Sequence, residues 1–233
     1  MRLIRRFYHA VAPQTMPRAA VGYYTRLIDG LRDEYLHPFR DEVLRSHPQP
    51  SRILDVGCGT GQLCLLLADA LESCRIVGID LSRPCLQVAR ERVAGAHLGD
   101  RVSFLRVDLT SCGWRLEPFD LILSTCSLHH WRRPALMLAA ARRLLAPNGR
   151  LWIMDDFAGA SADDRRRWVQ LVESRCQPGW VFRWVFRFES CFLTYSRQEL
   201  EELLVPADLE ATTFSTREVF FTLCARAISN RTF

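Results

Sequence analysis

Hydrophobic and polar positions follow two alternating periods from residue 51 onwards. Short apolar runs, typical of buried strands, alternate with stretches whose apolar residues recur three and four positions apart, as on one face of a helix. The predicted strands cover residues 52–56, 75–80, 102–107, 119–124 and 150–155, and the predicted helices cover 62–71, 84–93 and 134–145. Strands that alternate with helices require right-handed crossovers, so we predict an α/β domain whose mostly parallel sheet has helices on both faces.

Helical periodicity also precedes the first predicted strand. Residues 14–47 have apolar side chains at three-to-four spacing, and the segment His47-Pro-Gln-Pro50 ends the pattern. We therefore predict a helical cap or lid at residues 1–50 in front of a single domain at 51–233. Tyr24 lies on this predicted helix and is a candidate contact to a bound acceptor, although an aromatic residue at helical spacing more often belongs to the core.

The first residues of the chain mix arginine with apolar side chains. Either a short amphipathic helix turns its arginines to anionic lipid and its apolar residues inward, or a helix packs over the domain's own pocket, which the shortness of the segment favours. The residues concerned are Arg2, Arg5 and Arg6, and Leu3, Ile4 and Phe7. No cleavage site follows convincingly and no apolar run reaches the length of a membrane span, so we expect a cytoplasmic protein.

Composition limits the range of partners. The 233 residues, 48% hydrophobic, are enough for one sizeable core. The net charge of +5 comes from 31 basic and 26 acidic residues, which is too mild a bias for a nucleic-acid-binding surface. The nine cysteines are odd in number, scattered and without a Cys-x-x-Cys pair. We expect reduced thiols and no metal site.

One turn carries the clearest chemical signal. Residues 53–61 read Ile-Leu-Asp-Val-Gly-Cys-Gly-Thr-Gly, so a predicted strand with an acid near its end meets three glycines before a helix. Glycines let a ligand approach the main chain closely. Their spacing differs from the Gly-x-Gly-x-x-Gly of dinucleotide-binding turns, and a P-loop's Gly-Lys-Ser/Thr ending is absent. Asp55 would repel a diphosphate but accepts an ammonium group, so a zwitterionic adenosine derivative fits this turn best.

Acids also end the second and third predicted strands. Asp80 follows the glycine turn by about twenty residues, the usual position for a carboxylate that binds a ribose diol. Asp108 is placed to accept a hydrogen bond from an exocyclic amine, and Leu81 or Leu109 to sandwich an adenine ring. Because the carboxyl ends of parallel strands meet at one edge of a sheet, these groups and residues 124–130 are expected together.

Six segments in this order resemble the class I S-adenosylmethionine-dependent methyltransferases, particularly the small-molecule branch that includes ubiquinone- and menaquinone-type enzymes. The segments are residues 53–61, 77–82, 102–108, 119–124, 127–131 and 144–149. The resemblance covers about residues 51–156 and implies a Rossmann-like sheet of seven strands. It also implies S-adenosyl-L-methionine as cofactor and S-adenosyl-L-homocysteine as product.

The resemblance assigns roles to the residues of the turn and the strand ends. It implies that Asp55 and the glycine loop hold the methionine part of the cofactor, that Asp80 holds the ribose and that Asp108 meets adenine. The cofactor-binding residues expected from it are Asp55, Gly57, Cys58, Gly59, Gly61, Asp80, Leu81, Asp108, Leu109 and Ser124. It further implies a closing antiparallel strand pair at 209–214 and 219–225, preceded by a helix that Ser196 and Glu199 cap. Ser82 is a second predicted N-cap.

Two histidines are the candidate catalytic residues. His129 follows the fourth predicted strand, titrates near neutrality when unperturbed, and matches a histidine that phosphoethanolamine methyltransferases use in a similar segment. We predict it to be the base, with His130 orienting it; the alternative is one structural and one exposed histidine. An Asn/Asp-Pro-Pro-aromatic segment is absent here, which argues against nucleobase-amine acceptors, and Cys126 lacks the Pro-Cys context of a cytosine-modifying nucleophile.

Residues 157–195 form an aromatic-rich insertion after the fifth strand. Trp180 and Trp184 are candidate acceptor contacts there; a lipid-facing surface, a dimer face or a cap packing on the domain remain alternatives. We predict methyl transfer to an O, N or C atom of a small, partly hydrophobic metabolite, by a monomer or homodimer with at most weak membrane-surface contact. The alternatives are an RNA or protein methyltransferase and a non-catalytic binding protein.

Overall fold

The computed structural model describes residues 2–11, 15–111, 116–176, 179, 184, 187–189 and 191–228. Seven strands form one sheet: β1 Arg52–Val56, β2 Arg75–Asp80, β3 Val102–Arg106, β4 Phe119–Thr125, β5 Leu145–Asp156, β6 Leu209–Arg217 and β7 Phe220–Ala227. Their order across the sheet is β3-β2-β1-β4-β5-β7-β6. Strands β1 to β5 run parallel, and β7 runs antiparallel to both β5 and β6. The predicted α/β fold with a closing antiparallel pair is therefore confirmed.

The described α-helices are α1 Arg2–Val11, α2 Arg18–Ser46, α3 Gln62–Ala70, α4 Arg83–Gly95, α5 Pro134–Leu144, α6 Ala162–Cys176 and α7 Arg197–Leu204. Their starts follow the local signals in the sequence. The Ser82 hydroxyl accepts a hydrogen bond from the Cys85 amide at the start of α4, and Ser196 and Glu199 form a complete capping box at the start of α7. Both predicted caps are confirmed.

Helix α2 belongs to the core of the domain. Its buried side chains Leu31, Tyr35, Leu36, Phe39 and Val43 join the apolar cluster on the face of the sheet that α3, α4 and α6 cover. A second cluster fills the opposite face beneath α5 and α7. The division into a cap at 1–50 and a domain at 51–233 stays a prediction, but the cap helix shares the domain's core.

Helix α1 is turned the other way round from the predicted lipid-binding arrangement. Arg5 is buried, whereas Leu3 is 80% and Phe7 70% exposed. The less favoured of the two alternatives, with Leu3, Ile4 and Phe7 facing inward, is wrong, because the domain offers Arg5 a carbonyl and a carboxylate that satisfy its charge. The helix instead packs on the domain through its polar side.

Strand β5 is longer than the predicted strand 150–155. It begins at Leu145, opposite Phe119 of β4, so it includes residues 146–149, which lie between the predicted helix and the predicted strand. In the aromatic insertion, the backbone is helical at the described residues 184, 187–189 and 191–192. Trp180 lies outside the described residues. No helix within the described residues combines the length and the apolar run that crossing a bilayer requires.

Candidate active site

The sheet order places the predicted site residues along one edge. Strand β1 lies between β2 and β4, and the chain reverses its winding direction there, so a crevice opens beyond the carboxyl ends of these strands. The candidate residues lie along this edge in the order of the strands: Asp108 after β3, Asp80 at the end of β2, the glycine turn after β1 and His129 after β4. The topology thus brings together groups that are widely separated along the chain.

The glycine turn lets neighbouring side chains pack directly against its backbone. Gly57, Gly59 and Gly61 have φ angles of 75°, 53° and 82°, in the left-handed region that favours glycine. A Cβ on Gly57 would lie 2.0 Å from the Ser127 hydroxyl, so no larger residue fits there. The Gly57 and Cys58 amides donate to the Ile79 carbonyl and hold the turn against β2.

Two carboxylates flank this turn in different environments. Asp80 accepts hydrogen bonds from the Gly59 amide at 2.9 Å and from the Ser82 amide at 2.7 Å, so it both fixes the turn and faces the crevice. Asp55 is 1% exposed; its Oδ2 accepts from the Cys64 thiol, and its Oδ1 has no partner. Burial, with the charge of Asp80 in addition, raises the pKa of Asp55 to about 7 against the Cys64 hydrogen bond.

The unpaired oxygen of Asp55 is an argument for a cationic ligand. A buried acceptor without a partner costs free energy, which a bound donor recovers. The Ser124 hydroxyl, fully buried at the end of β4, is a second polar atom without a partner. The glycine turn with two unsatisfied polar atoms beside it fits the methionine part of S-adenosylmethionine.

Helix α2 closes over the turn at Tyr24. A Cβ on Gly59 would lie 2.8 Å from the Tyr24 hydroxyl, which shows that the phenol rests against this glycine. Burial raises the pKa of Tyr24, and the nearby charge of Asp80 raises it further. Tyr24, which the sequence proposed as an acceptor contact, therefore lies at the expected cofactor position, and its role stays a prediction.

The expected adenine contacts are more dispersed. Asp108 is exposed, two residues beyond the end of β3, and its Oδ1 accepts from the amide and the hydroxyl of Thr110. Leu81 is half-buried, whereas Leu109 is buried in the cluster on the α5 side of the sheet. Their contacts to adenine stay predictions.

His129, after β4, and Asp155, near the carboxyl end of β5, form a close ion pair. His129, at the short 3-10 helix Leu128–His130, places its Nδ1 2.6 Å from Asp155 Oδ1, and its backbone amide donates to the other oxygen at 3.2 Å. Both side chains are buried. Burial lowers the pKa of His129, but the charge and hydrogen bond of Asp155 overcome it, and the pKa is raised to about 9.

A carboxylate on Nδ1 directs the proton chemistry of the ring to Nε2. The same arrangement fixes the tautomer and orientation of catalytic histidines, and it stabilises the protonated ring after a proton has been accepted. His129 is thus equipped to take a proton from a bound molecule.

Other polar side chains surround this pair. The His130 ring centroid lies 4.0 Å from that of His129. His9 of α1 bonds through Nε2 to the His129 carbonyl at 2.8 Å. Ligand atoms of His129, His130 and Glu189 lie within 4.8 Å of one another, a grouping that the sequence did not predict. Within this group Asp155 bonds to His129 Nδ1, and Glu189 accepts a hydrogen bond from the Tyr8 hydroxyl at 2.6 Å.

A cavity of about 460 Å³ lies between α6 and the aromatic insertion. Its lining includes Arg165, Arg166, Arg187, Glu173 and Cys191. The charge of Arg165 acts on Asp156, which adjoins the His129 pair. Trp184 is 74% exposed and does not line this cavity, and Trp180 is outside the described residues.

Sequence reasoning missed Asp155. The signal was present, because Asp155 stands near the carboxyl end of β5, and the rule applied to the first three strands covers the fifth as well. Tyr8, His9 and Glu189 carried no comparable signal, since they reach the site only through the docking of α1 and the insertion.

Comparison with known proteins decides the family of this domain. Residues 53–149 match a family model described as a methyltransferase domain. Residues 53–149 are a methyltransferase domain. The resemblance predicted from the sequence is thereby confirmed.

The methyltransferase domain has relatives with several substrates. The chain is 30% identical over 121 residues to demethylmenaquinone methyltransferase of Bacteroides fragilis, covering 52% of this chain and 46% of that protein. It is 32% identical over 124 residues to trans-aconitate 2-methyltransferase of an Acidovorax species, covering 53% and 45%. The chain thus spans less than half the length of these curated relatives.

Solved structures resemble the chain over a greater length. A SAM-dependent methyltransferase from Aquifex aeolicus superposes with a TM-score of 0.68 at 19% identity, covering 91% of this chain and 98% of that one. The plantazolicin methyltransferase BpumL superposes with a TM-score of 0.69 at 14% identity over 96% of both chains. At these identities the likeness shows the fold alone, and it extends the methyltransferase fold to both flanks of residues 53–149.

Proposed function

We propose that this chain transfers a methyl group from S-adenosylmethionine to a small, partly hydrophobic acceptor that gives up a proton to His129. The observation that carries the proposal is the buried His129–Asp155 pair, 2.6 Å apart, on the same sheet edge as the glycine turn. The relatives are named for small-molecule methylation, which supports the acceptor class.

The chain's own residues supply the cofactor site in this proposal. Asp55 Oδ1 accepts the ammonium group, the backbone of Gly57 and Gly59 lies against the methionine part, and Asp80 accepts from the ribose hydroxyls. When bound, S-adenosylmethionine supplies an electrophilic methyl group. Tyr24 moves off Gly59 or packs beside the bound cofactor, because its phenol rests on the same turn.

His129 defines the acceptor chemistry. A neutral imidazole Nε2 removes a proton from an acceptor oxygen or nitrogen, and Asp155 stabilises the imidazolium that results. A hydroxyl or amine therefore fits better than an acceptor atom without a proton to lose. The arginines that line the cavity beside α6 suit an anionic group on the acceptor.

The experiment is a methyl-transfer assay with radiolabelled S-adenosylmethionine against phenols, quinols, amines and carboxylic acids. With the best acceptor, His129→Ala should lower turnover by about 10²–10⁴-fold, the usual contribution of general acid–base catalysis. Binding of S-adenosylmethionine should change little, because His129 does not belong to the glycine turn. A chelator should leave turnover unchanged, since proton transfer needs no metal.

Two results would contradict this proposal. Unchanged turnover of His129→Ala would remove His129 from the reaction. Methylation of RNA or of a protein with steeply salt-dependent binding, and of none of the small molecules, would favour a macromolecular acceptor.

A further inference from the structure

Helix α1 is attached to the domain through its polar side. Arg5 donates to the Thr194 carbonyl, pairs with Glu199 at 2.5 Å, and lies 3.9 Å above the centroid of the Tyr195 ring. Arg5 is only 7% exposed. A buried arginine with these partners fixes the rotation of the helix about its axis.

Two more side chains of α1 secure the same orientation. The Tyr8 hydroxyl donates to Glu189 at 2.6 Å, and His9 Nε2 bonds to the His129 carbonyl at 2.8 Å. Together with Arg5 they hold the middle of the helix, from residue 5 to residue 9. The side of α1 opposite to them therefore points away from the domain.

That outward side is apolar. Leu3, Phe7 and Val11 are 80%, 70% and 65% exposed, and their spacing of four residues places them in one stripe. Ile4, beside the stripe, is 39% exposed. Helices of water-soluble domains bury such a stripe, whereas here the polar side is buried and the stripe is left uncovered.

The apolar stripe continues onto the aromatic insertion. The Phe188 ring stacks on Tyr8 with centroids 5.9 Å apart, and Phe192 lies 5.1 Å from Phe188. Phe188 and Phe192 remain 36% and 39% exposed. We call Leu3, Ile4, Phe7, Val11, Phe188 and Phe192 the outer apolar surface.

The charge around the outer apolar surface is positive. Helix α1 contains three arginines and no acidic residue. Arg132 and Arg133 are exposed on the segment after His130, and the charge of Arg132 acts on His9 of α1. The acidic side chains described here, Glu189 and Glu199, are engaged by Tyr8 and Arg5.

We propose that the outer apolar surface docks on an anionic lipid bilayer, with its apolar side chains among the acyl chains and the basic charge of α1 beside the headgroup phosphates. A second copy of this chain suits the surface less well. In a two-fold dimer the same patch faces itself, which would bring the basic charge of one α1 that Glu199 does not neutralise, and the exposed Arg132 beside it, towards the same charges of the other copy. Lipid phosphates neutralise that charge.

The position of the outer apolar surface relates the docking to the proposed methyl transfer. Helix α1 contacts His129 through His9, so a bilayer at its outer side lies next to the proposed acceptor site. A hydrophobic acceptor dissolved in the bilayer would then have a short path to the site. Only this last step rests on the proposed function; the docking follows from α1 alone.

Vesicle co-sedimentation of the full chain tests the docking. Phosphatidylcholine vesicles containing roughly one-third phosphatidylglycerol should bind the protein, and pure phosphatidylcholine vesicles should bind it much less. Phe7→Glu and Leu3→Glu should each weaken vesicle binding by at least about tenfold. Each substitution removes one apolar side chain that would enter the bilayer and adds a negative charge that the anionic headgroups repel. Leu136→Glu, at a 50%-exposed leucine of α5, is the matched control and should bind like the wild type.

The outcomes separate the occupants of the surface. Thermal melts and S-adenosylmethionine binding of Phe7→Glu and Leu3→Glu should match the wild type, which excludes misfolding and keeps the result independent of catalysis. Wild-type protein that stays in the supernatant with both kinds of vesicle would overturn the proposal. So would binding that neither variant weakens, or a dimer in light scattering that Phe7→Glu converts to a monomer.

Discussion

At the scale of single residues, the protonation state of His129 determines the pH range in which the site is active. Its pKa of about 9 means that the ring is mostly protonated at neutral pH, whereas a base must be neutral. Turnover should therefore rise with pH up to about 9.

Asp155→Asn tests directly whether the Asp155 carboxylate raises the pKa of His129. Without the carboxylate, burial remains the main influence and lowers the pKa of His129, so the rising limb of the pH–turnover profile should move at least about one pH unit towards acid. Maximal turnover should fall by about 10²–10⁴-fold, because the tautomer is no longer fixed. The KM for S-adenosylmethionine serves as the internal control. A profile that stays in place would show that Asp155 does not set the protonation of His129.

At the scale of elements, helix α2 is part of the fold as well as a cover for the crevice. Phe39, 2% exposed, packs in the same cluster as residues of α3 and the sheet. Phe39→Ala should lower the free energy of unfolding by about 3–5 kcal/mol, as for large aromatic deletions in cores. Leu3→Ala, on the exposed side of α1, should change it by less than about 0.5 kcal/mol. Denaturant unfolding measures both, and equal small effects would show that α2 is a separable lid.

The elements also show which structural features the sequence can predict. Strands β1 and β2 begin and end at the predicted residues, because their apolar runs and flanking turns are local signals. The orientation of α1 was not predictable from periodicity. An apolar stripe marks the buried side of a helix only if the polar side has no partner in the domain. Here Arg5 on the polar side bonds to Thr194 and Glu199, which are nearly two hundred residues away along the chain, so local sequence gives no sign of them.

The same distinction applies to the site. Asp55, Asp80 and the glycines of the turn were predictable because spacing within one strand–turn–helix unit determines their arrangement. The contact between Tyr24 and Gly59 and the contact between His9 and His129 depend on how helices dock, and sequence spacing does not determine docking. The acceptor-binding side of the crevice is built mainly from such docked parts.

At the scale of the whole molecule, buried ionisable groups make stability depend on pH. The folded-state pKa of His129 is raised to about 9 from an ordinary value of 6.5, so its stabilising contribution is complete below about pH 6.5 and is lost as the pH rises through 9. Between pH 7 and 9.5 the free energy of unfolding should fall by about 2 kcal/mol. Urea unfolding across this range checks the trend, with His129→Asn as a control that should fall less. Stability that is constant or rises over the range would contradict the assignment.

The central claim is that the glycine turn and Asp55 bind S-adenosylmethionine through its ammonium group. Isothermal titration of the wild type and of Asp55→Asn tests it most directly, since the substitution keeps the shape of the side chain and removes its charge; Asp69→Asn, at an exposed position of α3, is the control. We predict one molecule bound per chain, with Asp55→Asn weaker by at least about tenfold and Asp69→Asn unchanged. Absence of binding to the wild type, or equal affinity in Asp55→Asn, would contradict the account.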